Sequence, residues 1–247
     1  MVDAKKHYAS LLAAHYGWIC GGTTAARKRF ASLLTELALM PTRSGMRALD
    51  LGAGNGIQSF PLAEVGYTVT AVDFCDTLLK ELREDAAAAH LPVDTQCADI
   101  RHIASLNEVQ AHRYDLVLCM GDTLTHLETE AEVFRLLGDA AQLLAPGGAL
   151  LLGFRDYSVP LQGNARFIPV RSEPDRLFTC FLEYETARVM VHDIVQTRGP
   201  DGWMTSISAY PKIRLAPNSI RTALESNGLH VAIERASAGS ITILARN

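Results

Sequence analysis

Short apolar runs alternate with amphipathic segments between residues 45 and 156. The apolar runs predict buried strands at Arg47–Leu51, Thr68–Asp73, Val93–Ala98, Tyr114–Met120 and Ala149–Phe154. Helical periodicity between them predicts helices at Ile57–Val65, Asp76–Ala89 and Glu130–Leu144. Strands that alternate with helices indicate βαβ units, right-handed crossovers and a parallel sheet.

The pattern changes after the fifth strand. Residues 165–214 contain strand-like runs separated by turn residues, and no clear helical period, which predicts an inserted antiparallel meander. The core pattern then resumes with a helix from about Asn218 to Asn227 and two strands, His230–Arg235 and Ile241–Arg246.

The first part of the chain predicts two helices, over residues 3–15 and from Thr23 to about Ala38, separated by Gly21-Gly22. We therefore expect three regions. They are an N-terminal helical cap (1–44), a core (45–156 and 215–247) and an antiparallel insertion (157–214) that serves as a substrate lid.

A glycine-rich turn follows the first predicted strand, in the sequence ALDLGAGNG at Ala48–Gly56. Its glycines lack Cβ atoms, so the backbone can approach a ligand closely, and the carboxyl end of a parallel strand is a typical ligand site. The dinucleotide fingerprint would place its third glycine at Ile57 instead of Gly56. Asp50, two residues before the first glycine, would repel a pyrophosphate but suits a cationic ligand.

The acid-x-Gly-x-Gly-x-Gly sequence from Asp50 to Gly56 resembles the first motif of the class I S-adenosylmethionine-dependent methyltransferases. The resemblance covers about residues 45–155 and the last thirty residues. It implies an α/β, Rossmann-like, mostly parallel seven-stranded sheet with helices on both faces and an antiparallel last strand. S-adenosylmethionine is then the expected co-substrate.

The resemblance also implies a role for individual residues. Asp73 would accept the ribose hydroxyls, Asp50 would meet the ammonium, and Asp99 would accept the adenine amine. The remaining expected cofactor contacts lie in the glycine turn and after later strands: Gly52, Ala53, Gly54, Gly56, Phe74, Ile100, Met120 and Gly121. A turn or N-cap role for Asp73 and Asp99, and a core role for Phe74, are the alternatives.

Candidate acceptor residues follow the fourth and fifth strands. The stretch Gly121–Leu127 weakly resembles the Gly-Asn-Ser-x-x-His-Leu of glycine N-methyltransferase-like enzymes, with Asp122 in place of the amide. His126 could orient or deprotonate the acceptor, or be held by packing alone. Arg155 could bind an acceptor carboxylate or pair with its neighbour, Asp156.

Two aromatic residues before the double glycine, Tyr16 and Trp18, are candidates for a hinged cover over the cleft. A helix that packs on the core would explain them equally well.

Composition and charge limit the classes of binding partner that we expect. The formal net charge is −4 without a block of Lys or Arg, so nucleic acid is not an expected partner. The five cysteines are scattered and the histidines form no ligand pattern, so we expect no metal and a reduced, cytoplasmic setting. No signal peptide or membrane span is indicated.

These features predict a methyltransferase that moves a methyl group by in-line displacement to a nitrogen or oxygen of a small molecule. A non-catalytic module that binds S-adenosylmethionine or S-adenosylhomocysteine is the main alternative. A nicotinamide-dependent oxidoreductase would require a different glycine spacing and an apolar residue at Asp50. The expected assembly is a monomer or a homodimer.

Overall fold

The computed structural model describes the backbone of residues 13–247 and the side chains of residues 15 and 17–247. The helix predicted for residues 3–15 lies largely outside them. The helices are α1 (Ala13–Ile19), α2 (Thr23–Glu36), α3 (Ser59–Glu64), α4 (Asp76–Ala88), α5 (Asn107–Gln110), α6 (Glu130–Leu143) and α7 (Pro217–Ser226). Short 3₁₀ helices lie at Ile100–Ser105, Thr123–His126 and Gly163–Arg166.

Two separate sheets contain the strands. The core strands are β1 (Arg47–Leu51), β2 (Thr68–Asp73), β3 (Val93–Cys97), β4 (Tyr114–Cys119), β5 (Leu144–Arg155), β10 (His230–Ser237) and β11 (Ser240–Arg246). The inserted strands are β6 (Phe167–Glu173), β7 (Arg176–Tyr184), β8 (Arg188–Gly199) and β9 (Gly202–Ile213).

The larger sheet has seven strands in the order β10-β11-β5-β4-β1-β2-β3. Strands β1 to β5 pair in parallel, whereas β11 runs antiparallel to both β5 and β10. The sequence order reverses at β1, between β2 and β4. In open α/β sheets, ligands bind outside the carboxyl ends of the strands at such a point.

Helices cover both faces of this sheet because successive residues of a strand point to opposite sides. Leu49 and Leu51 of β1 pack in one apolar cluster with α6 and α7. Ala48 of the same strand packs in a second cluster with α2, α3 and α4. The predicted Rossmann-like α/β fold is therefore confirmed.

Most predicted elements are present, and their ends shift by a few residues. Strand β5 begins at Leu144, earlier than predicted, because Leu144 already pairs with Tyr114 of β4. The register then skips to Leu116 opposite Ala149, and the extra residues include Gly147 at φ 74°. The helix predicted from Ile57 begins at Ser59, since the glycine turn extends to that point.

The smaller sheet is an antiparallel meander in the order β6-β7-β8-β9. It lies between β5 and α7 in the chain, the place predicted for an insertion. One of its apolar clusters includes Tyr157, Val191 and Tyr210. A second, Phe178 and Val195, packs against Trp18 and Ile19 of α1. The division into three regions stays a prediction, as does the lid role.

Candidate active site

The glycine turn after β1 is held to the next strand. The backbone N–H groups of Gly52 and Ala53 donate to the carbonyl of Val72, at 2.8 and 3.1 Å. Gly52, Gly54 and Gly56 have φ values of 81°, 52° and 79°, in the left-handed region that favours glycine. The left-handed backbone conformation is therefore already one reason for glycine at these three positions.

The missing side chains at two of these glycines make room for the protein itself. A Cβ at Gly52 would lie 2.5 Å from Thr123, and a Cβ at Gly56 would lie 2.3 Å from the Leu82 side chain of α4. At both positions the missing Cβ atom makes room for a protein side chain, and the close approach of a ligand to this backbone stays a prediction. Gly121 is different, because a Cβ there would meet nothing within 4 Å.

Two buried acids flank the turn. Asp50 is 1% exposed and accepts a hydrogen bond from the hydroxyl of Ser59 at 2.5 Å. Burial raises the pKa of Asp50 to about 7, against the lowering effect of the Ser59 bond. A carboxyl group with this pKa responds strongly to a cation placed near it.

Asp73, at the end of β2, braces the turn. Its carboxylate accepts the N–H of Gly54 at 2.8 Å and that of Cys75 at 2.7 Å. Burial raises the pKa of Asp73, and these backbone bonds oppose that effect. Each carboxylate oxygen retains acceptor capacity beyond these bonds, so Asp73 can hold the turn and still receive hydroxyl groups.

The remaining predicted cofactor residues lie at the same edge of the sheet. Phe74 is half-buried after β2, and Ile100 is buried after β3. Asp99 N-caps the short helix that begins at Ile100, accepting the N–H of Arg101 at 2.9 Å. Although burial opposes it, hydrogen bonding to Arg101 holds the pKa of Asp99 below its usual value.

The N-cap alternative for Asp99 is thus realised. The guanidinium of Arg101 also donates to both carboxylate oxygens of Asp99, at 2.6–3.1 Å, and so competes with an adenine amine for them. The side chain of Met120 packs over Gly153 of β5, next to Gly121. Ala53 is buried in the turn itself. The cofactor roles assigned to these residues stay predictions.

Sequence reasoning missed Arg27 of α2. Its guanidinium donates to the carbonyls of Asn55 and Gly56, at 3.0 and 3.3 Å. It also forms an ion pair with Asp85 at 2.7 Å and lies 4.0 Å above the ring of Phe60. Part of the predicted N-terminal cap therefore supports the glycine turn directly.

Asp122 is half-buried and stands at the centre of a polar cluster on the acceptor side. Its Oδ1 accepts the backbone N–H of Arg155 at 2.8 Å and the hydroxyl of Thr125 at 2.9 Å. Its Oδ2 accepts the hydroxyl of Tyr157 at 3.1 Å and pairs with the ammonium of Lys212. Burial would raise the pKa of Asp122, but the Lys212 ion pair outweighs it and holds that pKa below the usual value.

Sequence reasoning also missed Lys212, which lies beside two tyrosines. Lys212 is 6% exposed, and its ammonium lies 5.8 and 5.7 Å from the ring centres of Tyr157 and Tyr210. Burial, and then Asp122, raise the pKa of Tyr157 well above its usual value, so this hydroxyl stays a donor. The two-residue alternation of β9 was the available signal, since it places Lys212 on the same face as Tyr210.

The structure brings His126 to this cluster. Its ring stacks on Tyr210, with centroids 5.4 Å apart and planes at 14°. Arg155 is the last residue of β5, at the same edge of the sheet, and is half-buried. Of the two roles considered for Arg155, the ion pair with Asp156 is not formed among the described residues, and the Asp156 carboxylate accepts two hydrogen bonds from Ser158. The acceptor-binding role of Arg155 stays a prediction.

The structure describes the side chain of only one of the two aromatic residues predicted to cover the cleft. The side chain of Tyr16 lies outside the described residues, so its covering role stays a prediction. Trp18 packs on Phe178 of the meander, with the guanidinium groups of Arg171 and Arg176 at 5.8 and 5.0 Å from its ring centre. The described end of this helix therefore packs on the inserted sheet.

The described side chains include no group of three His, Cys, Asp or Glu residues arranged for a metal ion. No helix within residues 13–247 is long and apolar enough to cross a membrane.

Comparison with known proteins agrees with this geometry. Residues 48–148 match the family model described as a methyltransferase domain. A ubiquinone biosynthesis O-methyltransferase of Coxiella burnetii is 33% identical over 109 residues, 44% of this chain and 43% of that protein. A glycine/sarcosine N-methyltransferase of Aphanothece halophytica is 31% identical over 115 residues, 47% of this chain and 42% of that protein. The match thus spans less than half the length of these relatives.

Solved structures share the fold over most of the chain. An S-adenosylmethionine-dependent methyltransferase from Clostridium acetobutylicum superposes with a TM-score of 0.74 at 16% identity, covering 89% of this chain and 91% of that one. An amino pentose methyltransferase from Micromonospora echinaspora gives 0.73 at 18% identity, covering 90% and 91%. These structures show the shared fold, and the methyltransferase family model together with the O- and N-methyltransferase relatives confirms the predicted resemblance to the class I S-adenosylmethionine-dependent methyltransferases.

Proposed function

We propose that this chain transfers a methyl group from S-adenosylmethionine to a nitrogen or oxygen atom of a small molecule. One observation carries the proposal. Two buried acids, Asp50 and Asp73, flank a glycine turn at the switch point of the sheet, and a polar cluster around Asp122 lies at the same edge.

The residues present fit a cationic adenosyl compound. Asp50 suits an ammonium, and Asp73 has acceptor capacity left for ribose hydroxyls. Gly121 leaves open space at the end of β4, where the methionine portion is expected.

When bound, S-adenosylmethionine supplies an electrophilic methyl group on a sulfonium that is already a good leaving group. The chain therefore has to align the acceptor, exclude water and keep a lone pair free on the acceptor atom. Alignment alone can supply about 7–11 kcal/mol in well-oriented systems. His126 is the residue we assign to orient the acceptor or to take its proton, with Asp122 and Arg155 at the mouth of the same site.

A small-molecule acceptor is part of this proposal. The relatives named above are called O- and N-methyltransferases, and the Micromonospora echinaspora neighbour is called an amino pentose methyltransferase. A cytoplasmic location also belongs here, supported by five cysteines that are all free thiols. The expected assembly, a monomer or a homodimer, stays a prediction.

Two measurements test the function. In a thermal-shift panel, S-adenosylhomocysteine should raise the melting temperature and nicotinamide dinucleotides should not. The reverse ranking would contradict the proposal. Candidate amines, phenols, carboxylates and thiols are then screened with a labelled methyl donor. Binding without any methyl transfer across a broad panel would favour the non-catalytic module.

A further inference from the structure

Lys212 is the one buried lysine among the described residues, and it stands on the inserted meander and not on the core. A buried ammonium is costly unless it is paired. Here the pairing comes from the carboxylate of Asp122, with the rings of Tyr157 and Tyr210 beside it. The meander is thereby tied to the loop that follows β4.

That loop adopts a conformation that needs outside support. Asp122 has φ 72°, a left-handed conformation that costs energy for a residue with a side chain. Its carboxylate receives donors from β5, from the loop itself and from β9. Without the ammonium of Lys212, the half-buried carboxylate of Asp122 would lose its charged partner at the residue where the loop is strained.

The same loop contacts the glycine turn on its other side. Thr123 occupies the space that a Cβ at Gly52 would fill, 2.5 Å from that position. At the end of the loop, His126 stacks on Tyr210 of the meander. A chain of direct contacts thus runs from Lys212 through Asp122 and Thr123 to the turn.

We propose that Lys212 is a positioning residue for the cofactor site and acts through Asp122. Its ion pair sets the loop that places Thr123 against the glycine turn and His126 against the meander. This inference rests on the proposed function, since it assumes that the turn binds an adenosyl compound.

The test uses the full chain and S-adenosylhomocysteine as the probe, with affinity measured by calorimetry. Lys212→Met should weaken binding at least tenfold, whereas Lys212→Arg, which keeps the charge, should stay within threefold of the wild type. Arg198→Met is the matched control, because it removes an exposed charge from β8 of the same sheet and should leave affinity unchanged.

Two further readouts separate positioning from general destabilisation. If Lys212 acts through Asp122, the double variant Lys212→Met with Asp122→Asn should bind no more weakly than the weaker single variant. Amide hydrogen exchange should accelerate in residues 121–127 and 52–56 of Lys212→Met, with the far strands β10 and β11 unchanged. If Lys212→Met does not fold, Lys212→Gln is measured against the same tenfold criterion.

The outcomes are distinct. Wild-type protein that does not bind S-adenosylhomocysteine would remove the proposed function and this inference with it. Wild-type binding together with a folded Lys212→Met that binds within twofold would overturn the role of Lys212 alone. Additive losses in the double variant would overturn the route through Asp122.

Discussion

The carboxyl group of Asp50 should link cofactor binding to pH. It is 1% exposed on β1, and burial raises its pKa from 3.8 to about 7. Because the pKa is higher in the folded chain than in the unfolded one, the stability contributed by the neutral form is present at low pH. It is lost as the pH rises through 7. At 1.36 kcal/mol per pH unit, full ionisation costs the free protein about 4 kcal/mol.

A bound cation lowers the free energy needed to ionise Asp50. An ammonium within about 4–6 Å lowers the pKa of an acid by about 1–3 units. With a fall of about 2 units, the affinity for S-adenosylhomocysteine should increase about twentyfold between about pH 5.5 and 8, because ionised Asp50 is then available. Binding should release about 0.8 proton near pH 6, midway between the two pKa values, and fewer protons at lower or higher pH.

Calorimetry in buffers of different ionisation enthalpy measures both the affinity and the proton release. Asp50→Asn removes the titration, so it should flatten the pH dependence and raise the melting temperature of the free protein at pH 8. Methylthioadenosine lacks the ammonium and should show no such pH dependence. An equal pH slope in Asp50→Asn, or in methylthioadenosine, would refute the assignment of Asp50 to the ammonium.

Three further predictions concern single residues. Asp73→Ala should weaken S-adenosylhomocysteine binding by about 1–3 kcal/mol through the loss of charge-assisted hydrogen bonds, and unchanged affinity by calorimetry would remove the ribose role. Gly56→Ala should destabilise the fold by about 2–5 kcal/mol, combining left-handed strain with overpacking on Leu82. Gly45→Ala, at φ 74° with nothing within 4 Å, should carry only the strain, so equal losses of melting temperature would contradict the packing argument. His126→Ala should lower kcat strongly and leave S-adenosylhomocysteine affinity within threefold, measured with the acceptor that the methyl-donor screen identifies.

The alternation of elements was readable from local pattern. Apolar runs such as Tyr114–Cys119 are buried on both faces of a parallel sheet, and the helices between them show their own period. The apolar runs and the helical periodicity both arise from residues close together in the chain, so they can be recognised without knowledge of the fold. The glycine turn and Asp73 were readable for the same reason, since each is defined by short spacing from a strand end.

Contacts between distant segments were not readable in this way. The ion pair of Lys212 with Asp122 joins residues that are 90 positions apart in the chain. The hydrogen bond from Arg27 to Asn55 joins residues that are 28 positions apart. The local pattern also could not show that Gly52 and Gly56 are crowded by Thr123 and Leu82.

Sequence spacing therefore established the type of fold and the edge at which a ligand is expected. Tertiary packing alone decided which acids already accept hydrogen bonds from the protein and that Lys212 of the meander pairs with Asp122. It also decided which glycines lie against other side chains. The physical reason is that backbone conformation follows from neighbouring residues. Burial and charge pairing depend on the register at which separate elements meet.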